Sequence, residues 1–156
     1  MSILLAALAL AGVNAPETIT YETGRCFGSC PVYKVSVSAD GQGTFEGRMF
    51  TAATGVRHFR VSKRQYVAFR RRLIASRPVG TVRLTPDNPA CGPAPTDMPT
   101  TEIGWSGGGR KPAHLSLYMG CGGPKAQRMR ETIRSAPEAL PIAAFIGDRS
   151  AFIGKR

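Results

Sequence analysis

Two cysteines four positions apart head the set of side chains able to do chemistry: Cys26 and Cys30, in Cys26-Phe27-Gly28-Ser29-Cys30-Pro31. Two thiolates at this spacing can hold Cu(I) or exchange disulfides. Redox motifs of that kind sit between a strand and a helix, whose N-terminus lowers the thiol pKa. Here the segment runs through Pro31 into the β-patterned Val32–Val37, so a structural disulfide is the favoured use and thiol-redox or copper handling the alternative. Gly104-Trp105-Ser106-Gly107-Gly108 spells G-x-S-x-G, but a nucleophile elbow needs a helix directly after its serine. Gly107-Gly108-Gly109 and Pro112 follow instead, and no acid lies between Ser106 and His114. A glycine-rich turn is expected, and these glycines lack the spacing of a phosphate-binding loop. His58 and His114 stand far apart, neither with a second His, Asp or Glu at ligand spacing, so no metal site is expected. Asp87 and Asp97 fall in proline-rich sequence where Asp caps turns; carboxylate catalysis would need both to converge on a cleft. Trp105 is expected in the core or packed on a disulfide, in preference to a ligand platform. No catalytic residue and no cofactor is assigned.

Charge is the remaining lead. The chain of 156 residues has 21 basic and 10 acidic side chains, a net charge of +11. Nine of the basic residues lie between positions 57 and 83, and no acid occurs between Glu46 and Asp87. On a helical wheel Arg64, Arg71 and Arg72 face away from the apolar stripe of that stretch, and they are the candidate anion-binding residues. Lys63, Arg70 and Arg77 fall along its margin, where their stems cover apolar surface. Such a field suits the phosphate groups of nucleic acid, lipopolysaccharide or anionic lipid. The competing explanation is compositional: Arg outnumbers Lys 16 to 5, as a GC-rich genome would give, and a solvated basic helix needs no ligand. No RNA-binding aromatic set, zinc finger or recognition helix supports base reading.

The elements that must position these residues follow from hydrophobic periodicity. Residues 17–23, 31–39, 42–49 and 55–61 alternate as strands, with Asp40-Gly41 as the hairpin turn between the second and third. Ser62-Lys63-Arg64-Gln65 has the capping-box pattern and opens a helix. Tyr66, Phe69 and Leu73 form its buried stripe, and Arg77-Pro78 ends it. A short strand is expected at 82–84. Residues 86–124 hold seven of the 12 Pro and eight of the 18 Gly; they read as loop cut by two strands, 101–105 and 113–119. Pro124 suits the first turn of a second helix with Ala126, Met129 and Ile133 as its stripe. Leu140, Ile142, Phe145 and Ile146 make a last apolar cluster. The expected class is α+β: an antiparallel meander with two or three helices on one face.

Residues 1–15 read as a signal peptide. An apolar run from Ile3 to Ala11 ends in the small-x-small Val13-Asn14-Ala15, and it is too short for a permanent span. No Lys or Arg precedes the run, and Pro16 follows the expected cut. The competing reading is a buried N-terminal helix. Residues 16–156 are expected as one domain: a core over 17–80, the loop region 86–124 and a helical part over 124–147. Four cysteines in an exported chain point to two disulfides. Cys26–Cys30 with Cys91–Cys121 is favoured, since the first closes a small ring around Gly28 and the second ties the proline-rich loop to a strand end. The crossed pairings stay open.

At Cys26-Phe27-Gly28-Ser29-Cys30-Pro31-Val32-Tyr33 the chain resembles a bacterial family of unknown function. Its hallmark is an early C-F-G-x-C-P-x-Y followed by a strand, an Asp-Gly turn and another strand. The resemblance covers roughly residues 17–80; Cys91, Thr96-Asp97, Trp105 and Gly120-Cys121 resemble a subset of members. It implies an exported or lipoprotein-type domain and no activity. The expectation is a periplasmic or secreted, non-enzymatic protein, with anionic cell-envelope components as partners and genomic nucleic acid excluded by export.

Overall fold

A computed structural model describes residues 15–148 and 150. The signal-peptide reading of residues 1–15 lies outside the described residues except for Ala15. Seven strands form one sheet: β1 (Thr18–Thr23), β2 (Val32–Ser38), β3 (Gln42–Met49), β4 (Gly55–Arg60), β5 (Thr81–Leu84), β6 (Thr100–Ser106) and β7 (Ala113–Tyr118). Their order is β4-β3-β2-β1-β6-β7-β5. Every pair is antiparallel except β5 with β7. The fold is α+β, with helices α1 (Lys63–Ile74), α2 (Pro124–Ser135) and the single turn α3 (Ala143–Ile146).

The sheet departs from a plain meander on one side. Strands β1 to β4 do run as a meander, but β1 lies in the middle of the sheet and pairs with β6 on its other side. Helix α1 carries the chain from one edge of the sheet, β4, to the other. Strand β5 lands there, beside β7.

Alternation decides which face is covered. Ile19 and Tyr21 of β1, Val35 and Val37 of β2, Phe45 of β3, Ile103 and Trp105 of β6, and Leu115 and Leu117 of β7 are all buried. They pack against Tyr66, Phe69 and Leu73 of α1 and Ala126 and Ile133 of α2. Burying Phe69 or Leu73 stabilises the fold by about 2–3 kcal/mol each. The opposite face carries Thr18, Thr20, Glu22, Lys34, Ser36, Thr44, Glu46 and Glu102, none of them buried. Arg48 ion-pairs there with Glu22 and, at 3.0 Å, with Glu46.

Local signals set the element ends. Ser62 Oγ accepts from Gln65 N at 3.2 Å while Gln65 Oε1 accepts from Ser62 N at 3.0 Å, the reciprocal cap that starts α1. The β3–β4 turn folds back so tightly that a Cβ on Gly47 would stand 1.8 Å from the Ala53 carbonyl oxygen and 2.6 Å from Thr51 Oγ1. Gly47→Ala is therefore expected to cost about 2 kcal/mol in chemical denaturation, because the backbone of the turn must move.

Both disulfides are of the favoured pairing. Cys26–Cys30 closes the β1–β2 loop, and Cys91–Cys121 joins the 3₁₀ turn at Pro89–Cys91 to the end of β7. Cys91 and Cys121 are fully buried, whereas Cys26 and Cys30 are partly exposed.

Candidate functional site

The charge is concentrated on the helix layer. Helix α1 carries Lys63, Arg64, Arg70, Arg71 and Arg72 and no acid; α2 carries Lys125, Arg128, Arg130 and Arg134 against Glu131 alone. Neither helix has an acid in its first turn, where Lys63, Arg64 and Lys125 stand instead. Cations at a helix N-terminus oppose the macrodipole, each by about 0.3–1 kcal/mol. Helix stability alone would favour the opposite choice.

Packing divides these cations into two groups. Four basic side chains of the layer and its flank are held by the protein itself. Arg70 Nε lies 2.6 Å from Glu17 Oε2 and Arg77 Nη1 lies 3.2 Å from Glu17 Oε1. Arg77 also donates to the Lys111 carbonyl at 2.8 Å. Arg72 donates to the Ser135 carbonyl and pairs with Glu138 at 3.4 Å, tying α1 to the turn after α2. Arg130 donates to the Met119 carbonyl at 3.0 Å. Lys63, Arg64, Arg71, Lys125, Arg128 and Arg134 are exposed, and none has a hydrogen bond or ion pair with a described residue. Of the three arginines singled out from the helical wheel, Arg64 and Arg71 are thus unpartnered and Arg72 is committed internally.

Glu17, which sequence reasoning missed, is the internal counter-charge. Its carboxylate accepts from Tyr66 Oη at 2.8 Å as well as from Arg70 and Arg77. Burial pushes the Glu17 carboxyl up, but the hydrogen bonds from Tyr66 and Arg70 and the charges of Arg70 and Arg77 outweigh it and hold the group below the usual carboxylate range. Burial, with the hydrogen bond to Glu17, pushes the Tyr66 phenol up. Nothing local in residues 15–20 signals this role, because its partners lie 49 to 60 positions away.

The remaining candidates are not gathered into one site. Ser106 ends β6 and is followed by Gly107, Gly108 and Gly109, all at positive φ near 70°, so it enters a glycine turn and no helix. His58 lies exposed on β4 beside Thr44. Asp87 accepts from Thr85, and Asp97 holds the β1–β2 loop through its carbonyl, which accepts from Phe27 N at 3.1 Å. Trp105 is buried in the core. His114 does gain a partner: the β6–β7 register puts its Nε2 3.2 Å from Glu102 Oε2, while Ser116 Oγ donates to Glu102 Oε1 at 2.7 Å. The carboxylate stands between imidazole and hydroxyl, so His114 is not placed to take the Ser116 proton. No group of three or more His, Cys, Asp or Glu able to hold a metal occurs among the described residues.

Cys26 and Cys30 are spent in their S–S bond, and the chain continues into β2, not a helix. The helix terminus that lowers a redox thiol's pKa is missing at this position. No helix among the described residues is long and apolar enough to cross a membrane.

Residues 17–136 match a protein family described as a domain of unknown function, DUF6438, and the chain belongs to that family. No curated protein matches the chain.

Proposed function

We propose that the protein is an exported binding module whose helix layer contacts anionic cell-envelope surfaces. The single observation that carries this is the division among the cations. Neighbouring arginines are paired with Glu17 or Glu138 or held by backbone carbonyls, while Lys63, Arg64, Arg71, Lys125 and Arg128 have no counter-charge among the described residues. Val67, 48% exposed, stands on α1 between Arg64 and Arg71 in sequence and adds an apolar contact to the charged ones. Export is supported by the two disulfides, which persist in an oxidising compartment. A periplasmic or secreted bacterial setting fits them and supplies the anionic partner.

Vesicles of phosphatidylglycerol mixed with phosphatidylcholine are expected to bind the protein, and pure phosphatidylcholine vesicles are not. Each basic side chain at an anionic surface contributes about 1 kcal/mol, so Arg64→Ala with Arg71→Ala should weaken binding roughly 30-fold by co-sedimentation. Affinity should also fall steeply from low to physiological salt as the Debye length shortens. Salt-independent binding, or a double variant that binds as well as the parent, would count against the proposal.

A further inference from the structure

A cleft of about 390 Å³ opens at the end of the sheet, between the Cys26–Cys30 loop and the last turn of α2. It lies apart from Arg64 and Arg71. The rings of Tyr21 and Tyr33, stacked with centroids 6.3 Å apart, belong to its lining. Met98, Met119, Pro31 and Ile146 make further walls. Against this apolar lining stands one charged side chain, Arg134, which is exposed and makes no hydrogen bond or ion pair with a described residue.

Besides Arg134, the polar side chains of the cleft are the hydroxyls of Tyr21, Thr23, Tyr33 and Thr101, of which Thr23 donates to the Pro31 carbonyl at 2.7 Å. The hydroxyls of Thr101 and Tyr21 are hydrogen-bonded to each other. Burial raises the Tyr21 phenol to about 12 and pushes Tyr33 up further, so both are neutral and protonated at pH 7. No acid lines the cleft. A mostly apolar cavity of this size with a few convergent polar groups has the form of a small-ligand site. A lone guanidinium presents a planar fork that matches a carboxylate through two parallel hydrogen bonds.

We propose that this cleft binds an apolar monocarboxylate, its carboxylate on Arg134 and its apolar body against Tyr21 and Tyr33. Two sources present that chemistry, an alkyl acid and the C-terminus of an apolar peptide, and octanoate and N-acetylphenylalanine are the probes for them. Each is titrated into protein labelled at the methionine methyls, with octanol as the uncharged control. Binding in the cleft shifts the Met98 and Met119 methyl signals and leaves Met49 in place. The acid that binds more tightly identifies the source. Arg134→Gln, at an exposed position without a partner, should weaken the acids at least about tenfold, the size expected for a charge-assisted pair, while octanol binds unchanged. Arg64→Ala with Arg71→Ala should leave octanoate binding intact, which separates this site from the helix-layer reading. If neither acid shifts the two methyls at millimolar concentration, or if Arg134→Gln binds them as tightly as the parent, the proposal is overturned.

Discussion

Glu17→Ala is expected to lower the unfolding free energy by about 3 kcal/mol. Both Glu17 and Arg77 are largely sequestered, with side chains 11% and 9% exposed. Removing the carboxylate leaves the Arg77 guanidinium with only the Lys111 carbonyl. An uncompensated buried charge costs far more than the net worth of the pair. Arg70→Ala should cost less, about 1 kcal/mol, since its side chain is 34% exposed and solvent takes over. Adding Arg77→Met to Glu17→Ala should recover part of the loss by removing the stranded charge. The pH dependence follows from the direction of the Glu17 shift. A carboxyl held below its unfolded value stabilises the fold fully above the ordinary carboxylate range, and that contribution disappears as pH falls through the folded value. The gap between parent and Glu17→Ala should therefore be widest near neutral pH and shrink below pH ~4. Urea melts at neutral and acid pH measure it; a gap that stays constant with pH would contradict the ion-pair account.

Replacing Cys91 and Cys121 together by alanine is expected to cost about 3–4 kcal/mol, and replacing Cys26 and Cys30 about 2 kcal/mol. The difference comes from the length of chain each bond closes: the sequence separations are 30 and 4. The longer bond also secures the part of the chain richest in Pro and Gly, where few repeating hydrogen bonds hold the backbone. Accessibility adds a kinetic distinction. Cys91 and Cys121 are fully buried, while Cys26 and Cys30 reach solvent, so mild reductant should open Cys26–Cys30 first. Alkylation and mass measurement during a glutathione titration reads the order; release of Cys91 and Cys121 before the other pair would contradict this picture.

Much of the architecture was legible because its signals are local. The alternation Val35, Val37 marked β2, Asp40-Gly41 marked the turn into β3, and Ser62 with Gln65 marked the start of α1; each needs only neighbours within a few positions. The tight ring at Cys26–Cys30 was legible for the same reason. What was not legible depends on contacts between distant segments. The pairing of β1 with β6 that centres β1 in the sheet, and the return of β5 beside β7, are matters of topology that periodicity does not encode. Glu17 stood only as the first residue of the expected strand 17–23, although it pairs with two arginines far along the chain. That single fact changes the candidate site. The helical wheel grouped Arg64, Arg71 and Arg72 by direction alone, whereas packing commits Arg72 to Ser135 and Glu138 and leaves Lys125 and Arg128 of α2 without a partner among the described residues. The cluster of His114, Glu102 and Ser116 was hidden likewise, because it depends on the β6–β7 register across a six-residue connection.

For the proposed envelope-binding helix layer, the location of the charge should matter beyond its total. Two charge-reversal variants separate these: Arg64→Glu with Arg71→Glu on α1, and Arg57→Glu with Arg60→Glu on β4. All four positions are exposed, and both pairs change the net charge equally. Affinity for the phosphatidylglycerol vesicles is measured for each at one low salt concentration. The α1 pair should abolish binding while the β4 pair keeps most of it; equal losses for the two pairs would rule out a binding surface on the helix layer.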